Sequence, residues 1–407
     1  MNVIDLGFRW LTADGPRRRL QIIDALKAGD KRWPELLVGF ARVEEITNGL
    51  DLRGINLSGI ELGALNLDRV HFESANLSGI TLAGTSLKSA FLNQSNLKGA
   101  QLASADISGS DFQGADLTEA NCADTNARGA RFSFAALDGA DFSRANLSNA
   151  DFRNATLTNT KFNEATANFA AFGNAKANNL QALHASLKKT SWNKAAINDA
   201  DFSDAQMTEA DLSAVTAIRS HFERANLSHA KLKEANLTET KFSTADASGA
   251  NLTACVLSGA DFTAATLNDA ILTGAYAHAP ASMPMLKAVH ACFMNTYFKS
   301  CNFAGAQMDE SVWADSELSE SNLSSASLKT ANCHKLRLMR ANLAGADFTD
   351  AIMLEAQLYS SDMRGAKLNA KNVTPSMIYG GQLENTDLPQ NVVEYLAQFE
   401  PSTNSQA

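Results

Sequence analysis

Histidine, cysteine and aspartate are the residues of this 407-residue chain that could bind a metal ion or take part in catalysis. No two of the seven histidines stand at a spacing typical of a ligand set, and the five cysteines include no C-x-x-C pair. We therefore expect solvated histidines, small buried cysteines, and neither a metal site nor a disulfide framework. The residues in question are His71, His184, His221, His229, His278, His290, His334, Cys122, Cys255, Cys292, Cys301 and Cys333.

Motifs for acyl, phosphate or dinucleotide chemistry are absent from the sequence. The spacing G-x-x-x-x-G does recur, as at Gly54 and Gly59, but there it is a turn position that repeats along the chain. The many aspartates likewise follow a repeat and do not form catalytic pairs. We expect no enzyme activity, no catalytic residue and no cofactor.

The positions of the polar residues are set by a period of five. From residue 50 to residue 279 the chain reads as 46 consecutive pentapeptides. Their third residues, at numbers ending in 2 or 7, are all Leu, Phe, Ile, Met, Trp, Ala or Cys. Their first residues are Ala in 29 of 46 cases, and neither column holds a charge. Since 19% of the chain is charged, two such columns indicate side chains that point inward.

A five-residue period matches neither an α-helix nor a continuous strand. Inward residues at positions one and three fit a short extended segment, with a turn on positions four and five. Gly, Asn, Asp and Ser are frequent at position five, where a turn needs them. The pattern predicts short strands and turns that wind around an axis.

The aromatic residues indicate how many pentapeptides complete one coil. Many of the third-position aromatics recur every twenty residues, so a four-sided coil of twenty residues would stack each ring on the ring one coil away. The two predicted ladders are Phe112, Phe132, Phe152, Phe172 and Trp192, and Phe202, Phe222, Phe242 and Phe262.

The five-residue frame breaks after Ala279 at PASMPMLKAVHA and then continues one residue later, which adds 17 pentapeptides and brings the total to about 16 coils. One extra residue can be absorbed as a bulge, so we predict a single continuous rod. The expected segments are a helical N-terminal cap over 1–49, a first register over 50–279, a break over 280–290, a second register over 291–375, and a C-terminal cap with a disordered tail over 376–407.

The repeats ANLSG at 75, ADLTE at 115, ANLSN at 145 and ADLSA at 210 carry the signature A-[D/N]-L-x-x. By these motifs the chain resembles the pentapeptide repeat proteins over about three quarters of its length. The resemblance implies an all-β solenoid, a right-handed quadrilateral parallel β-helix.

Segments outside the repeat are expected to cover the unpaired ends of such a solenoid. Asp14-Gly-Pro predicts the start of a helix, and Trp33-Pro34-Glu35 the start of a second. The expected apolar face of the first helix is Leu20, Ile22, Ile23 and Leu26. Thr374-Pro375 predicts a further helix start, and Val392, Val393, Leu396 and Phe399 form a stripe that could cap the solenoid or join two chains as a dimer.

The net charge of the chain indicates which class of partner it could bind. The formal net charge is -9, so no basic footprint for nucleic acid is present. The twenty-residue period places Asp111, Asp151 and Asp211 on one wall, which would suit a DNA-mimic inhibitor of DNA gyrase such as the resemblance suggests. However, the net charge of residues 50–279 is only -6, and lysines interrupt the acidic stretches. Mimicry is therefore the alternative hypothesis.

The favoured hypothesis is a rigid, non-catalytic rod that binds another protein, acting as a monomer or a C-terminal dimer. Pro280, Met283, Pro284 and Met285 at the frame break are candidate contact residues, although the same loop could simply fold onto the wall. An accessory or effector role in a bacterial secretion system is a further alternative.

The sequence shows no secretory signal and no run of 18 apolar residues. We therefore expect a cytoplasmic protein without a transmembrane segment, and secretion by a route that needs no signal peptide stays open.

Overall fold

A computed structural model of the chain describes residues 7–12, 14–38 and 50–398. The chain divides into two compact units, Met1–Asp211 and Leu212–Ala407, and both are built from the same pentapeptide coil. Residues 39–49 of the expected N-terminal cap, Phe399, and the tail expected to be disordered lie outside the described residues.

Each coil of the first unit pairs in parallel with the next coil, twenty residues further along the chain. The pairing residue is the second of each pentapeptide: Asp111 pairs with Arg131, and Arg131 with Asp151. Since four pentapeptides complete twenty residues, four such ladders run along the unit, one on each wall. This is the pairing that the spacing of the aromatic residues predicts.

The backbone N–H groups show how the repeat is held together. In the pentapeptide 75–79, the N–H groups of Asn76, Leu77 and Gly79 donate to carbonyls of the neighbouring coils at 2.8, 2.7 and 2.8 Å. The N–H of the following residue, Ile80, closes a turn on the carbonyl of Leu77 at 3.1 Å. The ladders and the turn thus use every N–H of the pentapeptide except the fourth.

In many pentapeptides the fourth-position N–H finds its acceptor on a side chain. Ser78 donates its N–H to Oδ1 of Asn76 at 3.2 Å, and Thr118 donates to Oδ1 of Asp116 at 2.9 Å. In both cases the acceptor is the second residue of the same pentapeptide, in the arrangement of an Asx turn. Asp and Asn at the second position are therefore part of the fold.

The fifth position lies in the left-handed region of φ, as the predicted turn requires. Gly79 has a φ of 62°, Asn154 of 59° and Phe134 of 61°. Glycine adopts this conformation without cost, whereas other residues lose roughly 1 to 2 kcal/mol. This explains why Gly is frequent at the fifth position. Where another residue stands there, the hydrogen bonds of the ladders must offset the cost of its positive φ.

The core of the first unit is a stack of third-position side chains. Ring centroids lie 5.0 Å apart for Phe112 and Phe132, 4.9 Å apart for Phe132 and Phe152, and 4.9 Å apart for Phe152 and Phe172. The ladder ends on Trp192, 3.8 Å from Phe172, and all five rings are fully buried. Since each ring contacts its neighbours one coil away, burial and stacking act on the same residues.

In the second unit the pairing continues across the frame break. Asp261 pairs with Ser282 and Thr266 with Lys287, each 21 residues apart. Met283 at a third position has no exposed surface. The new register therefore begins at residue 281, and the expected break over 280–290 shrinks to the single extra residue Pro280.

Helices occur only outside the pentapeptide coils in the described part of the chain. Helix α1 spans Gly15–Lys27 and helix α2 spans Gln390–Ala397. Short 3-10 helices span Arg9–Leu11, Trp33–Leu37 and Pro375–Ile378.

The apolar faces of the two helices differ in part from the expected ones. In α1 the side chains of Ile22, Ile23 and Leu26 are buried, but Leu20 is exposed, so its placement on the buried face was wrong. In α2 Val392 is buried and Val393 is exposed. Each helix thus presents a narrower apolar stripe than its sequence predicts.

The N-terminal segment is attached to the first coil by polar contacts. The Arg9 guanidinium donates to both carboxylate oxygens of Asp51 at 2.8 Å, and Trp10 Nε1 donates to the carbonyl of Arg53 at 2.8 Å. Burial alone would raise the pKa of Asp51, but hydrogen bonds from Arg9 and Arg53 lower it to about 2. The ionised carboxylate therefore joins the segment to the coil.

The stacked rings predict a large effect of truncation. Phe152→Ala should reduce the free energy of unfolding by about 3 to 5 kcal/mol, because it leaves a cavity between two rings. Phe134→Gly is the control, because this exposed ring has a positive φ; it should be neutral or stabilise by about 1 kcal/mol. Urea unfolding followed by circular dichroism measures both, and equal losses would show that the ring stack is not the core.

Asp51 predicts a defined response to acid. Its pKa is lowered in the folded state, so its pairing stabilises the fold above about pH 4, and the contribution disappears as the pH falls towards 2. Asp51→Asn should therefore cost on the order of 2 kcal/mol at pH 7 and almost nothing near pH 2. Unfolding of both proteins at several pH values tests this, and a difference that is independent of pH would contradict it.

Candidate functional site

The three predicted acidic residues lie on one ladder of the first unit. Asp111 and Asp151 flank Arg131, and Asp211 pairs through its backbone with Ser191 further along the same wall. Asp111 is buried, and its carboxylate forms an ion pair with the Arg131 guanidinium. The charge that would face a partner at Asp111 is therefore neutralised within the wall.

Asp151 is neutralised by its own pentapeptide. Arg153 donates from Nε and Nη2 to the two carboxylate oxygens of Asp151 at 2.9 and 2.7 Å, and its N–H donates to Oδ1 at 3.0 Å. Burial opposes the ionisation of Asp151, yet these bonds hold the pKa of its carboxyl below the ordinary value. The carboxylate is thus committed to the turn and to Arg153.

The residues at the frame break do not form an excursion from the wall. Met283 is a core residue, so its proposal as a contact residue was wrong: in the new register it occupies an inward third position. Pro284 is half-buried, and its carbonyl accepts the N–H of Ala264 at 2.9 Å, as part of the pairing between coils. Pro280 and Met285 are exposed and are the two residues of the set that a partner could reach.

The second unit carries a surface that the sequence analysis missed. One ladder passes from Asn251 through Ile271, Cys292, Val312, Asn332 and Ile352 to Lys371, so four of the five residues between Asn251 and Lys371 are Ile, Cys or Val, where Asp and Asn are the most frequent residues elsewhere. We call this side of the coils, between residues 271 and 354, the apolar wall. The signal was present in the sequence as apolar second positions about twenty residues apart.

The side chains of the apolar wall reach solvent. Ile271 is 43% exposed and Ile352 is 40% exposed, and the fourth-position residues Met294 and Leu354 are 36% and 46% exposed. Between them Ala314 is small and buried. The result is an apolar stripe, interrupted at Asn332 and His334, on a coil whose other outward positions are mostly polar.

These substitutions remove a hydrogen-bond acceptor from the fold. Asn332, the one amide of the ladder between Ile271 and Ile352, accepts the N–H of His334 at 3.2 Å in the usual way. The side chains of Ile271, Val312 and Ile352 have no oxygen that could do so. Other second positions without this oxygen, such as Arg131, Lys161 and Ala171, are charged or small, so a run of partly exposed Ile and Val on one ladder is what distinguishes the wall.

Carboxylates border the apolar wall on both sides. His290 lies between two of them, with Nδ1 3.4 Å from Asp269 and Nε2 3.1 Å from Glu310, and Lys335 lies 3.8 Å from Glu355. The stripe is therefore apolar in the middle and predominantly acidic at its rims. The rim carboxylates are Asp269, Glu310 and Asp350 on one side and Asp315 and Glu355 on the other.

A cavity of about 780 Å³ adjoins the apolar wall where the regular coils end. Leu354 and Glu355 line it together with Arg337, Tyr359 and Met377. The 3-10 helix Pro375–Ile378 contributes to its border.

The cysteines of the structure are free, and four of them are buried. Burial raises the pKa of the Cys255 and Cys333 thiols to about 12, that of Cys301 to about 11, and that of Cys122 further. Thiols held protonated in this way react poorly. In the described part of the chain no group of His, Cys, Asp or Glu is arranged to hold a metal ion.

Two family descriptions match the sequence over the coils. "Pentapeptide repeat region" matches residues 105–182. "Pentapeptide repeats (8 copies)" matches residues 66–102, 184–213, 205–243, 220–259, 242–276, 291–329 and 337–369. The chain belongs to the pentapeptide repeat family. The predicted family is confirmed, and the ladders describe a parallel β-helix solenoid.

Several solved structures of this family are similar to the chain. HetL, a protein involved in heterocyst differentiation regulation from Nostoc sp. strain PCC 7120, is 24% identical, with 54% of this chain and 84% of HetL covered and a TM-score of 0.24. QnrB1, a plasmid-mediated fluoroquinolone resistance protein, is 13% identical, with 52% and 95% covered and a TM-score of 0.33. A comparison with curated proteins gives no match.

The described helices are too short or too polar to span a bilayer.

The apolar wall predicts the reactivity of one thiol. Cys292 is half-buried on this wall, whereas the other four cysteines are buried in the core. Ellman's reagent should therefore label a single thiol of the native protein, and Cys292→Ser should remove that reaction. Labelling in guanidinium should recover all five cysteines. Two or more fast thiols in the native protein would contradict the described burial.

Proposed function

We propose that this pentapeptide repeat protein is a non-catalytic interaction protein that binds another protein through the apolar wall of its second unit. The observation that carries the proposal is the replacement of Asp or Asn by Ile, Cys and Val along one ladder, with the side chains partly exposed. Apolar stripes with polar rims are typical of protein interfaces. The regular coil holds them on rigid backbone, so little conformational entropy is lost on binding.

The segments outside the repeat would then serve as caps. The N-terminal segment contacts the first coil through Arg9 and Trp10, and α2 contributes the buried Val392 at the other end of the chain. Covering the open backbone of the terminal coils would keep the solenoid from adding further strands. On this proposal the caps protect the fold and the wall binds the partner.

DNA mimicry of the gyrase-inhibitor type receives less support. Arg131 and Arg153 neutralise two of the three carboxylates that the mimicry hypothesis would use, and Asx turns account for the acidic column. A groove that binds DNA would require a continuous negative surface. The secretion-system alternative rests on no residue of the described structure.

The proposal predicts a partner whose binding depends on the wall. The purified full chain, Ile271→Asn/Ile352→Asn, and the control Asn322→Ser/Asn342→Ser on the opposite wall are used as baits in a lysate of the organism that encodes the protein. The native chain and the control should retain the same partner in stoichiometric amounts, and the wall variant should lose it. A partner retained equally by all three would place the binding surface elsewhere, and failure to retain any partner would contradict the function.

A further inference from the structure

The geometry of the apolar wall points to the kind of partner, and this inference rests on the proposed function. We propose that the wall binds a basic amphipathic α-helix of a protein partner, laid along the ladder from Ile271 to Ile352. The apolar face of the helix would contact the wall, and lysine or arginine side chains at its flanks would meet the acidic rims.

The spacing along the wall suits a helix. From Ile271 to Ile352 the ladder takes four steps of about 4.8 Å, or roughly 19 Å in all. A helix of about 13 residues has the same length, and its turns repeat every 5.4 Å. Apolar side chains at i, i+3, i+7 and i+11 span about 16.5 Å and would therefore face four of the five coils, with a drift of about 2 Å against the coil spacing.

The rims determine the charge of the partner. Asp269, Glu310 and Asp350 lie along one side of the stripe, where His290 contacts the first two. Asp315 and Glu355 lie along the other side, where Lys335 pairs with Glu355, so carboxylates outnumber cations on both rims. A lysine or arginine that flanks the apolar face of a helix would reach these carboxylates, whereas glutamates at the same positions would be repelled. An anionic membrane or a nucleic acid would meet the same repulsion, which favours a basic protein segment over both.

The backbone of the wall excludes an added strand. Each second-position residue uses its N–H and its carbonyl in the ladders to the coils on either side, as Cys292 does with Ala270 at 2.9 Å and Leu272 at 2.7 Å. The fourth-position N–H groups that lose their acceptor stand beside carbonyls already used in the ladders, so the described coils offer an extended peptide no alternating row of free N–H and C=O groups. Recognition must then come from side chains, and an amphipathic helix presents them in a single row.

The substitutions that test the wall should not weaken the fold. Asn at positions 271 and 352 restores the acceptor that other pentapeptides have, so Ile271→Asn/Ile352→Asn should unfold at the same or a higher urea concentration than the native chain. The control Asn322→Ser/Asn342→Ser changes the same number of residues on the opposite wall and removes two Oδ1 acceptors of fourth-position N–H groups, so it should be the less stable of the two variants. A loss of binding in the first variant alone is then an effect on the surface.

The experiment measures peptide binding by fluorescence anisotropy, with the full chain and three labelled peptides of about 14 residues. The first has leucines on one helical face and lysines on the other, the second has glutamates in place of the lysines, and the third is a scrambled form of the first. We expect the lysine peptide to bind at least about tenfold more tightly than the other two, and the wall variant to lose about tenfold in affinity. The control variant should bind like the native chain.

Three outcomes would overturn the inference: equal binding of the lysine and glutamate peptides, undiminished binding by the wall variant, or no saturable binding of the lysine peptide. Overlapping peptides from any partner captured through the wall separate this inference from the proposed function. If the segment that binds is not basic and amphipathic, the inference is wrong while the protein remains an interaction protein. If no partner depends on the wall, both are wrong.

Discussion

The fourth-position N–H of the pentapeptide is the constraint on which the structure depends. The ladders and the turn supply carbonyls for the other N–H groups, so this one is left to a side-chain oxygen or to solvent, and Asn76 and Asp116 show how the second residue can provide the oxygen. The turn also places the fifth residue at positive φ. The recurring D or N of the repeat therefore follows from satisfying the backbone, and an acidic column is no evidence of a DNA-like function.

The same constraint makes departures from it informative. Residues at inward positions are constrained by packing in the core. A residue at an outward second position can change if the fold tolerates the loss of one acceptor for the fourth-position N–H. Ile271, Val312 and Ile352 make that change on one ladder and remain partly exposed. Exposed apolar side chains at these positions do not add to the stability of the coil. Their repetition along one side of it is best explained by selection for a contact with a partner.

The sequence predicts the inside of this protein better than its outside. The first and third columns are free of charge, so the period, the coil of twenty residues and the ring ladder from Phe112 to Trp192 follow from the pattern alone. Met283 was misplaced because a one-residue shift in frame is hard to locate among apolar residues on both sides. The ion pair of Asp111 with Arg131 joins residues twenty positions apart, so it is not evident from the residues next to either of them in the sequence.

The coil also fixes how such a protein can change in evolution. A single extra residue such as Pro280 is absorbed at a corner, and the residues after it keep their walls. Gain or loss of a whole pentapeptide acts differently: inward residues stay inward, but every later residue moves to the neighbouring side. A five-residue deletion just before Ile271 would turn the intact apolar wall by about a quarter revolution relative to the coil that precedes it. Insertions or deletions of five, ten or fifteen residues can thus change the direction in which a surface faces without changing its core, whereas twenty residues restore the original side.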